Sequence, residues 1–182
     1  MNPRDALALL AGAIPKRSGI WADLGAGDGT FTRVLAELLG SNSRIYAVDR
    51  DARAVAALER RAGNAGAVVV PVRADFTHPF DLPGLEEPGL DGILLANALH
   101  FVPDAAAVLE RLVALVRPGG RVVVIEYDRR PASRWVPYPV PPDRLATLAA
   151  ATGLSTPAIT GTRPSAFGGV LYAAAAERLN VP

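Results

Sequence analysis

The chain has 182 residues, half of them hydrophobic and a fifth charged, which is enough apolar material for one buried core and too little length for two. Nineteen basic against eighteen acidic residues leave a formal +1, so no overall field would hold nucleic acid or an anionic membrane, and only a local basic patch stays open. The lack of cysteine and the presence of only two histidines exclude a disulfide framework, an iron–sulfur cluster and a cysteine nucleophile, and they disfavour a metal held by protein ligands alone.

Asn2-Pro3 opens and Pro15 closes an amphipathic first helix; the apolar run 6–14 is too short for a secretory leader, and Asp5 is acidic where a leader is basic. No apolar run approaches the roughly 18 residues of a membrane span, and a cytoplasmic protein is expected. Apolar strands then alternate with helical patterns, the arrangement of βα units feeding a parallel sheet. Strands are predicted at Ile20–Leu24, Arg44–Asp49 and 67–73, with Pro71 placing the third near an edge, and helices at Thr30–Leu39 and Ala52–Arg61. A strand over 92–96, a helix over 103–116 and a strand over 121–127 launched by Pro118-Gly119-Gly120 follow. Residues 129–142 carry five prolines and read as a connection. A helix over 143–152 and strands over 158–163 and 169–176 close the pattern.

The informative segment is Trp21-Ala22-Asp23-Leu24-Gly25-Ala26-Gly27-Asp28-Gly29-Thr30, a strand entering a glycine turn that opens a helix. Its glycines let a ligand approach the main chain. A dinucleotide turn wants Gly-x-Gly-x-x-Gly, and here Thr30 stands where the third glycine belongs. Asp23 and Asp28 also flank the turn, and like charges 4 Å apart cost about 4 kcal/mol at an effective dielectric near 20. The site should prefer a cation. S-adenosylmethionine fits: it has no phosphate, carries a sulfonium and an ammonium, and offers one carboxylate to helix-end amides.

These residues resemble the class I S-adenosylmethionine-dependent methyltransferases, whose first motif is an acid followed by Gly-x-Gly-x-Gly, here Asp23, Gly25, Gly27 and Gly29. The resemblance continues in register over residues 19–127. Asp49, twenty residues past Gly29, stands where the family places an acid that accepts both ribose hydroxyls. Arg73-Ala74-Asp75-Phe76 is similar to the segment in which an acid reaches the adenine amino group and an apolar neighbour packs on the ring. Asn97-Ala98-Leu99-His100-Phe101-Val102-Pro103-Asp104 resembles the segment after strand four, and Arg117-Pro118-Gly119-Gly120-Arg121 the turn into strand five. The resemblance implies a cofactor site that also includes Ala26, Asp28, Arg50 and Asn97. Asp49 read alone could cap the helix near Asp51, and Asp75 read alone could be a turn residue before Thr77.

The same resemblance implies an α/β fold: a single Rossmann-like, doubly wound domain with a seven-stranded, mostly parallel sheet, order 3-2-1-4-5-7-6, last strand antiparallel. Within residues 1–182 the N-terminal helix takes 1–18, the cofactor-binding core 19–127, and the substrate-side loop with the C-terminal strands 128–182. A phenol, alcohol or carbon acid as acceptor needs a base, for which His100, Tyr127 and Asp128 are candidates; His100 also reads as a hydrogen-bonded helix-start residue and His78 as a solvent-facing turn residue. Arg129, Arg134, Trp135 and Tyr138, past strand five, are candidates to line the acceptor pocket by stacking or by gripping an anion. The alternative is a solvated connection whose aromatics pack on the sheet. Only about eighteen residues precede strand one, fewer than in many small-molecule methyltransferases, so the lid comes from loops 75–89 and 129–142, or the site stays open, or a second subunit in a homodimer covers it. The expected partner is a small molecule; an RNA substrate, a non-catalytic partner subunit and a nicotinamide oxidoreductase are the rivals.

Overall fold

Local chemistry starts the chain where the sequence predicts: the Asn2 side chain accepts the amide of Asp5 at 2.9 Å and Pro3 takes the first helical position, so α1 runs Pro3–Leu10. The computed structural model describes residues 1–15, 17–61, 66–86 and 89–180. From α1 the order is β1 (Ile20–Leu24), α2 (Thr30–Leu39), β2 (Arg44–Asp49), α3 (Ala52–Arg61), β3 (Val68–Arg73) and β4 (Leu90–Ala96). A 3₁₀ turn at Leu99–Phe101 leads to α4 (Ala105–Leu115), β5 (Val116–Tyr127), α5 (Pro142–Ala151), β6 (Ala158–Pro164) and β7 (Val170–Glu177).

The seven strands form one sheet in the order β3-β2-β1-β4-β5-β7-β6, parallel except for β7, which runs against both neighbours. Alternation along the strands feeds two cores. Ile45, Val123 and Ile125 face α1 and α2, while Tyr46, Val48, Val122 and Val124 face α4 and α5. Each fully buried leucine here, Leu35 and Leu109 among them, contributes about 1.5–3 kcal/mol of transfer energy. Leu58 of α3 packs on Ala26 and Ala47, on the same sheet face as α1 and α2, so α3 rests directly on the glycine turn.

Most strands and helices keep their predicted bounds to within one or two residues, α1 ends at Leu10 well before Pro15, and two starts shift because of specific partners. α4 starts at Ala105, not 103, because the Asp104 carboxylate caps it by accepting the Ala107 amide at 3.1 Å. β5 starts at Val116, not 121, because the Pro-Gly-Gly stretch is drawn into pairing: Gly119 N–H bonds Arg178 O, Arg178 N–H bonds Gly120 O, and Val116 pairs with Leu90 across a bulge. No helix of the described residues is long and apolar enough to cross a membrane.

Gly29 is where the fold demands glycine most plainly. It starts α2 in the left-handed region at φ 78°, and a Cβ there would stand 2.6 Å from Leu58 Cδ2. Gly29→Ala should cost about 1–2 kcal/mol, read as a lower denaturation midpoint with an unchanged m-value.

Candidate functional site

A parallel sheet aims every strand end to the same edge, and at a point where the order reverses the loops part and leave a crevice. Here the reversal falls between β1 and β4. The loops after β1, β2, β3 and β4 enclose a crevice of about 220 Å³ lined by Gly25, Asp49, Arg50, Asp75, Phe76 and Asn97, with Ala98, Phe101 and Val102 on the β4 side.

Backbone bonds hold the glycine turn open. The amides of Gly25 and Ala26 both donate to Val48 O, and the Gly27 amide donates to Asp49 Oδ2 at 2.8 Å. Gly25 sits at φ 80°, and a Cβ there would be 2.9 Å from the Cβ of Ala98, filling the crevice floor. Asp49 Oδ1 accepts the Asp51 amide at 2.9 Å. Its carboxylate thus ties two strand ends together while lining the crevice, and the cap of α3 is Asp51, whose Oδ1 accepts the Arg53 amide at 2.8 Å. Asp75 is double in the same way. Its Oδ1 accepts the amide and hydroxyl of Thr77, and its Oδ2 faces Arg50 at 3.7 Å and exposed His78 at 3.8 Å. Partial burial, which would raise its pKa, is outweighed by Thr77, Arg50 and His78, and the carboxyl lies below its ordinary range.

The remaining predicted cofactor residues stand behind or beside the crevice. Asp23 is 1% exposed under the turn, where the Thr32 hydroxyl donates to it at 2.6 Å. Burial, with the charges of Asp49 and Asp28 adding to it, pushes its pKa to about 7. Asp28 is exposed and accepts the Thr30 amide at the start of α2; Ala26 is buried against Leu58. None of these three lines the crevice, and neither does Gly27, whose amide points to Asp49.

Across the crevice Asn97 holds φ 53°, the only described non-glycine residue with positive φ, and its Oδ1 is buried with no partner among the described residues. Strain and an orphaned acceptor together mark a position kept for a ligand. Next to it, His100 is 3% exposed, and its Nδ1 lies 2.6 Å from Oε2 of Glu126, which is fully buried in β5. Glu126 Oε1 also accepts the His100 amide at 3.1 Å. A carboxylate only accepts, so Nδ1 carries the proton and the basic lone pair lies on Nε2, which bonds no described residue. Burial, then the charges of Glu126 and Asp128, raise the neighbouring Tyr172 phenol far above its ordinary pKa; that phenol donates to Val140 O at 2.6 Å.

Of the other candidates, Tyr127 is buried beside His100, and Asp128 is half-buried with its amide on Val170 O. Arg129 has a side chain 94% exposed and reaches only Asp128, at 3.9 Å. Trp135 is 63% exposed under the Arg134 guanidinium, so these aromatics do not pack down on the sheet. Tyr138 is tied in by its amide, which donates to His100 O at 3.0 Å. The sequence reading missed Glu126, whose signal is a lone carboxylate in the apolar run Val122-Val123-Val124-Ile125-Glu126. It also missed Phe101 as a crevice wall.

The residues fit S-adenosylmethionine. Gly25 leaves a cradle that a Cβ would fill, two carboxylates but no phosphate clamp face it, and Asn97 offers an unpaired acceptor to an ammonium. The strand order and the crevice at its switch point have the form of the Rossmann-like methyltransferase class. The model of the methyltransferase domain family matches residues 22–122. An uncharacterized methyltransferase of Mycobacterium tuberculosis is 33% identical over 122 residues, 66% of this chain and 56% of that protein. The 2-phytyl-1,4-naphtoquinone methyltransferase of Synechococcus elongatus is 30% identical over 109 residues, 59% of this chain and 45% of that one. Among solved structures, the 1,6-didemethyltoxoflavin-N1-methyltransferase of Burkholderia thailandensis, with its acceptor and S-adenosylhomocysteine bound, superposes with a TM-score of 0.76 at 26% identity, covering 98% of this chain and 78% of that one. The chain spans about half the length of these curated relatives. It belongs to the methyltransferase domain family, and its strand order is the one expected of the class I S-adenosylmethionine-dependent methyltransferases.

Asp23 gives a prediction with a definite sign. The folded chain keeps its proton up to about pH 7, whereas an unfolded aspartate releases it near 3.8. Between those values the folded state binds more protons, so this group's contribution to stability falls as pH rises and levels off above about 7. Asp23→Asn should remove that decline: in thermal melts from pH 4 to 8, the wild type loses ground relative to the variant. Parallel curves would show that Asp23 is ionised throughout.

Proposed function

We propose that the protein methylates a small, flat acceptor, with His100 as the proton acceptor and Glu126 holding it in the productive tautomer. The observation that carries this reading is the buried Glu126–His100 contact beside the cofactor crevice. In a buried position a carboxylate is costly without a task, and here it orients one imidazole nitrogen and leaves the other basic.

When bound, the donor supplies a methyl carbon made electrophilic by its sulfonium. Asp49 would hold the ribose hydroxyls, Asp75 and Phe76 would take the adenine, and Asn97 would accept from the methionine ammonium. His100 Nε2 takes the proton that the acceptor's oxygen, nitrogen or carbon gives up as it attacks, and Glu126 balances the imidazolium charge. The exposed aromatics Phe101, Trp135 and Tyr138 offer faces to a planar acceptor. A naphthoquinone, the acceptor in the Synechococcus relative's name, is such a molecule. A cytoplasmic location accords with a donor made and used in that compartment.

Calorimetric titration should show binding of S-adenosylmethionine and S-adenosylhomocysteine, with Asp49→Ala weakening both by about 1–3 kcal/mol. Because Asp49 also holds the Gly27 amide, the ligand-free variant should melt lower as well. His100→Gln and Glu126→Gln should each cut S-adenosylhomocysteine release, assayed with the small-molecule fraction of a cell extract, at least about tenfold while cofactor affinity stays within about twofold. Unchanged turnover in both variants would reduce the pair to a structural tie.

A further inference from the structure

Of the three arginines in the segment after β5, Arg129, Arg130 and Arg134, Arg130 is the one the fold holds against the strand. Its guanidinium carbon lies 4.4 Å from the centre of the Tyr127 ring. That ring is 6.2 Å from the His100 ring, which is 4.3 Å from the ring of Phe101 on the crevice wall. The four side chains form a row leading from the crevice, past the basic imidazole, to a cation. Arg130 is half-buried, and among the described residues no carboxylate or carbonyl takes any of its five donors. Neighbouring arginines are used otherwise. Arg129 extends into solvent with Asp128 near it, and Arg134 caps exposed Trp135.

Stacking on a ring face satisfies the flat side of a guanidinium and fixes its plane, but its N–H edge still needs acceptors. A half-desolvated edge of that shape suits the two coplanar oxygens of an oxyanion. We infer that Arg130 binds an anionic group, a carboxylate or a phosphate, on the methyl acceptor, so that the acceptor is an aromatic or similarly flat acid whose reacting atom lies toward His100. This rests on the acceptor site proposed above.

The test measures binding of benzoate, phenyl phosphate and uncharged benzyl alcohol to the protein saturated with S-adenosylhomocysteine, by ligand-observed NMR, in wild type, Arg130→Gln and Arg130→Lys. The expected result is that at least one anion binds wild type about tenfold or more tighter than Arg130→Gln, with Arg130→Lys between, while benzyl alcohol does not discriminate. The better anion tells carboxylate from phosphate. Equal anion binding by wild type and Arg130→Gln overturns the inference, as does failure of both anions to bind wild type at concentrations up to about 20 mM. Melting temperatures within a few degrees of wild type certify the variants' folds, and Arg130→Lys decides the matter should Arg130→Gln not fold. If wild type fails to bind S-adenosylhomocysteine, the cofactor reading is what fails; the anion series repeated without it still decides the role of Arg130.

Discussion

A carboxylate inside a sheet must find a partner, and the β4–β5 side of the crevice hangs on the one that Glu126 found. Both of its oxygens are taken by a single residue, His100, through ring and backbone. That double grip fixes the 3₁₀ turn against β5, and the turn carries Phe101 to the crevice wall. From the same residue, His100 O takes the Tyr138 amide, which anchors a proline-rich segment that has little regular structure of its own. Replacing Glu126 alone by an apolar residue would leave the His100 amide and ring N–H buried without an acceptor, so here orientation and stability rest on the same carboxylate.

On the cofactor side the constraint is different. Asp49 and Asp75 each bond backbone amides of their own loops and still face the crevice. The site is therefore assembled before a ligand arrives, and little ordering entropy remains to be lost on binding. Asp23 contributes from beneath, where its environment favours the uncharged acid.

The cofactor half was largely legible in the sequence, because its signals are short-range. A glycine turn, an acid twenty residues on and a β-branched run are read within one βα unit each. Gly25, Asp49, Arg50, Asp75, Phe76 and Asn97 do meet around one crevice. The first-motif acid Asp23 has its place in the pattern, but its burial under the turn depends on α2 packing against β1, which no local spacing states. The acceptor half was less legible for the same reason. Glu126 and His100 lie 26 residues apart on elements brought together only by sheet order, and what separates Arg130 from Arg129 and Arg134 is which ring each guanidinium meets. Composition places arginines and aromatics in that segment without saying which pair.

The strand order has a consequence for how the chain is made. β7 lies between β5 and β6, and among the described residues 170–178 are the ones that pair with the outer edge of β5. On a ribosome, β1 through β4 can dock as they emerge, since each finds a parallel neighbour already synthesised or soon to follow. The outer edge of β5, the backbone of Arg121–Tyr127, waits for the β6–β7 hairpin. A nascent chain that has just released β5 therefore presents an unpaired apolar edge. The hairpin that covers it also supplies Val170, whose carbonyl holds the amide of Asp128. A chain without residues 170–178 would therefore leave the outer edge of β5 unpaired and the Asp128 amide without its acceptor, beside the segment that carries Arg130 and Trp135.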